Sequence, residues 1–170
     1  MRRNDWLEDE EAEIAAARAV PFQASEEAGF AAFGGAVRRA VEVAGAAFAI
    51  APDCESPIEA TLGARLKLLI GQWNGERQQK LELVPQYPLL RFRYDFGIVA
   101  NGKLIAAIEC DGKEFHSSEE AQANDAAKNV AAWRAGAEIF RFTGSLIFRH
   151  DAECASDVRG FLEHKFKEAA

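Results

Sequence analysis

The sequence predicts a mixed α/β domain, a sheet with helices packed on it, behind an N-terminal helical extension. Apolar residues recur at helical spacing through the first 50 positions. A helix start is spelled out at residues 56–59, and a series of strand-like segments follows, two of them joined by Asn101-Gly102.

The elements run in this order. Residues 1–50 are rich in Ala and Glu, and Phe30, Phe33, Val37 and Val41 mark two helices split near Pro21. Ser56, Pro57 and Glu59 then form an S-x-x-E capping box with proline at the first helical position. Leu62, Leu66, Leu69 and Ile70 supply the apolar stripe of that helix, which stops near Gly71 to Gly75. Strands are expected over 81–87, 91–100 and 103–110, the last two forming an antiparallel hairpin through Asn101-Gly102. A helix over 117–135 ends at Gly136, a short buried strand covers 137–142, and a final helix occupies about 152–169. The chain thus divides into an extension, 1–50, and one domain, 51–170, within the commonest range of domain size.

Composition narrows the function. Nearly half of the 170 residues are apolar and 28% are charged, the balance of an ordinary globular protein. No run of about 18 uncharged apolar residues could span a bilayer, and no signal-peptide core precedes the domain, so a cytoplasmic location without membrane contact is expected. Cys54, Cys110 and Cys154 are odd in number and lack a C-x-x-C pair, which argues against a disulfide framework and a structural zinc site. The net charge of −7 argues against a broad basic face, and leaves room for a local basic cluster beside a metal.

Chemistry concentrates in the strands. Alternation places Glu109 and Asp111 on one face of their strand and Ile108 and Cys110 on the other, while the hairpin sets Asp95 on the neighbouring strand. Carboxylates held at the edge of a core are ligands for a hard cation such as Mg²⁺. Pairing of these acids with Lys103, Arg91 or Arg93 explains them equally well.

Asp95, then Ile108-Glu109-Cys110-Asp111-Gly112 and His116, resembles the D…E-x-D-G-x-x-H arrangement of PD-(D/E)XK nucleases on the very-short-patch-repair branch, including domain of unknown function 559, with one residue more between Gly112 and His116. The likeness extends to Asp125 with Lys128, and to Trp133, Gly136 and Arg141-Phe142, covering about residues 55–165. It implies a restriction-endonuclease-like fold with a helix-strand-strand-strand-helix-strand core. The activity it implies is Mg²⁺- or Mn²⁺-dependent hydrolysis of DNA phosphodiester bonds. Asp95 and Glu109 match the metal ligands, and Glu59 matches the acid on the helix before the sheet.

Asp111 stands where the family keeps a lysine, so the positioning of the attacking water needs another residue. His116 is the favoured candidate and Lys128 its rival. Arg91, Arg93, Lys113, Lys128 and Arg141 are candidate phosphate contacts, and the N-terminal helices would suit a homodimer surface or a regulatory cap. Loss of the lysine also raises the alternative of an inactive nucleic-acid-binding or interaction domain of the same fold.

Overall fold

The computed structural model describes residues 26–112 and 119–167, so the expected split near Pro21, Lys113 and His116 lie outside the described residues. The chain divides into two units, with the boundary between Gly45 and Ala46. Helix α1 (Glu26–Ile50) begins in the first unit, and Ala46 and Ile50 at its end belong to the second.

In the second unit a 3₁₀ turn (Ala51–Asp53) leads to α2 (Pro57–Glu76), β1 (Leu81–Leu89), β2 (Phe92–Ala100) and β3 (Lys103–Asp111). Then follow α3 (Glu119–Arg134), β4 (Glu138–Thr143) and α4 (Gly144–Lys167). The four strands lie in the order β1-β2-β3-β4, the first two pairings antiparallel and β3–β4 parallel. A parallel pair needs a crossover, and α3 supplies it. This is the mixed sheet flanked by helices that the sequence predicts, consistent with a restriction-endonuclease-like fold.

Local signals explain the element ends. Ser56 Oγ accepts the Glu59 N–H at 3.2 Å, which caps α2 behind Pro57. Asn101 and Gly102 take φ values of 50° and 74°, as a two-residue hairpin turn requires. At the end of α3, Ala137 N–H bonds to Ala132 C=O and Gly136 N–H to Trp133 C=O, a Schellman cap with Gly136 at φ 75°. The far end of α2 is tied to the sheet by Asn74, whose amide both donates to and accepts from the Leu81 backbone at 2.8 and 2.7 Å.

Two boundaries differ from expectation. β1 continues past Tyr87 to Leu89 although it contains Pro85 and Pro88, because an edge strand tolerates residues without an N–H. The last helix starts at Gly144 rather than near 152, and runs through non-helical dihedrals at His150 (φ −145°, ψ 43°). Asp151 restarts it, with Oδ1 accepting the Ala152 N–H at 2.9 Å and Oδ2 accepting Arg65 Nε of α2 at 2.8 Å.

The sheet buries both faces. On one, Leu62, Leu66 and Trp73 of α2 and Ile147, Val158 and Leu162 of α4 pack against Phe96, Ile98 and Ile108. The other face is thinner: Tyr94, Val99, Leu104 and Ala107 meet Ala132 of α3. A register shift beside Ile98/Val99 leaves Ile105 as an extra residue in β3, and both Ile105 and Ala106 face the first core.

Candidate active site

The alternation of β1 and β2 breaks at one level of the sheet. On β1, Leu81 and Leu83 contact the first core, whereas Tyr87 and Leu89 contact the second. On β2, Phe92 and Tyr94 contact the second, whereas Phe96 and Ile98 contact the first. The pairing steps from Pro85↔Phe96 to Tyr87↔Tyr94, passing over Gln86 and Asp95, and Gln86 takes a φ of 50°. β2 and β3 also part here, their ladder ending at Phe96↔Ile108.

Asp95 sits at this break and its carboxylate reaches across it. Oδ2 accepts the Cys110 N–H at 2.6 Å, replacing the partner that the separating strands no longer provide. Past this point Glu109 and Asp111 project toward the α3 side, as the two-residue period predicts.

Glu109 is 7% exposed and would be costly to bury as a lone charge. Lys128 of α3 compensates it, Nζ donating to Oε2 at 2.6 Å. Oε1 is buried without a partner in the protein. Arg141, paired with Glu109 in the β3–β4 register, places its guanidinium 3.7 Å from Asp111 and 3.3 Å from Asp125 and Asn129. Its Nε is also buried and unpartnered.

Burial raises the carboxyl pKa values of Asp95, Glu109 and Asp111 above their ordinary range. At Asp95 the Cys110 N–H opposes this, and the Glu59 charge adds to it. At Glu109 the Lys128 hydrogen bond opposes burial, and at Asp111 the nearby Arg141 does. Burial also holds the free thiols of Cys54 and Cys110 in their protonated form, the first pushed up to about 11. The oxygen donors are therefore the available ligands here.

Among the described residues no group of three or more His, Cys, Asp or Glu side chains is arranged to hold a metal ion. Mg²⁺ does not require one, since one or two carboxylates with water and substrate phosphate complete its shell. Asp95 and the unpartnered Oε1 of Glu109 fit that demand, being hard donors at the edge of the sheet.

Glu59 is buried and already well engaged. Its oxygens accept from Ser56 Oγ at 2.7 Å, the Glu55 N–H at 2.9 Å and Gln86 Nε2 at 2.8 Å. The capping acid thus also pins the Gln86 side of the break, while its charge acts on Asp95. Glu59→Gln should keep all three bonds, its amide oxygen accepting and its NH₂ donating to Ser56 Oγ. The melting temperature should hold, while the Mg²⁺ concentration needed for half-maximal cleavage should rise severalfold. A metal titration of the variant checks this, and an unchanged requirement leaves Glu59 with the cap alone.

Of the candidate phosphate contacts, Lys128 and Arg141 turn inward to the carboxylates, and Arg93 is bound to Glu55 at 2.7 Å. Arg91 is exposed and stacks over Phe92, 5.0 Å from the ring centroid. Sequence spacing does not reveal Tyr94 or Gln86. Tyr94 reads as an ordinary strand aromatic, and nothing about Gln86 announces a positive φ.

The model of the family REase_MTES_1575, a restriction-endonuclease-like family, matches residues 76–162, just over half of the chain. The match begins at the last residue of α2 and takes in all four strands, α3 and most of α4. No curated protein and no solved structure matches the chain.

Proposed function

Since the chain belongs to the restriction-endonuclease-like family REase_MTES_1575, and so carries a nuclease-like domain, we propose that it is a metal-dependent endonuclease hydrolysing DNA phosphodiester bonds. The reading rests on Asp95 and Glu109. The two carboxylates stand on adjacent strands where β2 and β3 part, and Glu109 has a buried oxygen left unpartnered and a lysine on its other oxygen. A purely structural ion pair would have no use for the orphan oxygen, whose burial costs about 1–3 kcal/mol.

Asp95 and Glu109 would hold Mg²⁺ or Mn²⁺, with Asp111 close by and Glu59 adding to the negative field. When bound, the ion supplies Lewis acidity and charge neutralisation at the scissile phosphate. Lys128 takes the place left empty by the Asp111 substitution. Its ammonium, delivered from α3 to Glu109, orients a water and offsets charge on the phosphate as the bond is attacked. Arg141 keeps Asp111 compensated, and exposed Arg91 meets the DNA backbone. The very-short-patch-repair likeness leaves His116 as the competing group for proton transfer.

A second reading has its own support. At 2.6 Å, Lys128 partly neutralises Glu109 without any metal, as suits a binding domain that has lost its chemistry. Plasmid nicking with Mg²⁺, Mn²⁺ or EDTA, run beside a panel of small phosphate esters, separates the two. Nicking only with metal is expected; DNA binding without nicking in either metal would leave the inactive domain. Lys128→Ala should lower the single-turnover rate at saturating DNA by about tenfold or more. A wild-type rate in that variant, with the rate lost in His116→Ala, would move the role to His116.

A further inference from the structure

Helix α3 is held on the sheet largely by polar contacts, among them Arg141 of β4 at 3.3 Å from Asp125 and Asn129. Among its described side chains only Ala131 and Ala132 are buried, and two methyl groups fix neither the roll nor the slide of a helix on a sheet. Yet Lys128 must meet Glu109 at hydrogen-bond distance from this helix.

Tyr94 lies beneath α3, fully buried, and a phenol there must find partners for its hydroxyl. The hydroxyl donates to the Lys128 carbonyl at 2.7 Å. That carbonyl is part of the helix backbone itself, so the phenol grips the turn on which Lys128 is mounted. The face of the same ring lies under the Lys128 ammonium, 5.0 Å from Nζ to the centroid, within cation–π range. One side chain therefore contacts the lysine at its backbone and at its charged end.

We infer that Tyr94 is a positioning residue, whose buried phenol holds Lys128 against Glu109. In its consequence for cleavage this rests on the nuclease reading above; in its consequence for the lysine it does not. Burial of the tyrosine has a simpler use as apolar filler, and the two roles separate on removal of the hydroxyl alone. Tyr94→Phe keeps the ring and its packing, and loses only the grip on α3.

Two measurements test the inference. Acylation of native protein by a small amine reagent, read by mass spectrometry, should label Lys128 slowly in the wild type and severalfold faster in Tyr94→Phe. Exposed Lys67 and Lys103 should label at equal rates in both and report an intact fold. At saturating DNA, Tyr94→Phe should lower the single-turnover rate by about tenfold or more, the cost of a misplaced catalytic group. In a Lys128→Ala background it should lower it no further. Unchanged labelling of Lys128 overturns the proposal whatever the nuclease assay gives. Equal rate losses in both backgrounds also overturn it, and assign Tyr94 to packing. A wild-type protein that fails to cleave with either metal overturns the nuclease reading instead, and the labelling still decides the role of Tyr94.

Discussion

Replacing Asp95 with asparagine is expected to abolish metal-dependent cleavage while leaving the metal-free protein as stable as before or more so. Loss of one preorganised charge from a catalytic site typically costs about 10²- to 10³-fold in rate. Stability should move the other way, because Asp95, Glu109 and Asp111 all have carboxyl pKa values raised in the folded state, chiefly by burial. A carboxyl so raised binds its proton more tightly folded than unfolded. Its stabilising contribution is full below the unfolded pKa, near 4, and is lost as pH rises through the folded value. At neutral pH the ionised group therefore weakens the fold, and asparagine relieves that while its oxygen still accepts from the Cys110 N–H. Melting curves in EDTA should put the variant at or above the wild type near pH 7, with the difference closing toward pH 4. A large drop in EDTA would instead make Asp95 a structural partner.

Phe96→Ala should cost about 3–5 kcal/mol, the range for emptying a buried aromatic site. Phe96 is fully buried, paired with Pro85 and Ile108, and its ring tip meets α2 where that helix has a glycine. A Cβ built at Gly63 would lie 2.8 Å from Phe96 Cζ, so helix and ring are fitted to each other. Phe96 is also the chain neighbour of Asp95, and cleavage should fall together with stability. Urea denaturation checks the magnitude. A loss under about 1.5 kcal/mol would mean that α2 settles onto the sheet and fills the gap.

Some of this was legible in the sequence, and the division follows the range of the interactions. The Ser56 cap, the Asn101-Gly102 turn and the Gly136 cap are each determined within a few residues, so their motifs predict their geometry. Glu109 and Asp111 were separable from Ile108 and Cys110 because a strand has a period of two. That same rule fails at Gln86 and Asp95, where two strands change faces together, and only their pairing reveals it. The Glu109–Lys128 contact joins a strand to a helix 19 positions away, and nothing local encodes it. The start of α4 was missed because the interruption at His150 hides one helix behind another. Lys113 and His116, read as site residues, lie outside the described residues.

The prolines of β1 have a consequence for how copies of this chain behave in a crowded solution. β1 forms one margin of the sheet, and a free margin invites strand addition from another molecule, the route to open-ended assembly. Pro85 and Pro88 each lack an N–H, and proline within a sheet is accommodated where that group would face away from the neighbouring strand or at a bulge. Two donors are thus missing from this strand, and the positive φ at Gln86 between the prolines breaks its straight run. An incoming strand would find fewer donors on a bent template. The break that sets Asp95 apart from β3 thus also makes the outer strand a poor seed for polymerisation.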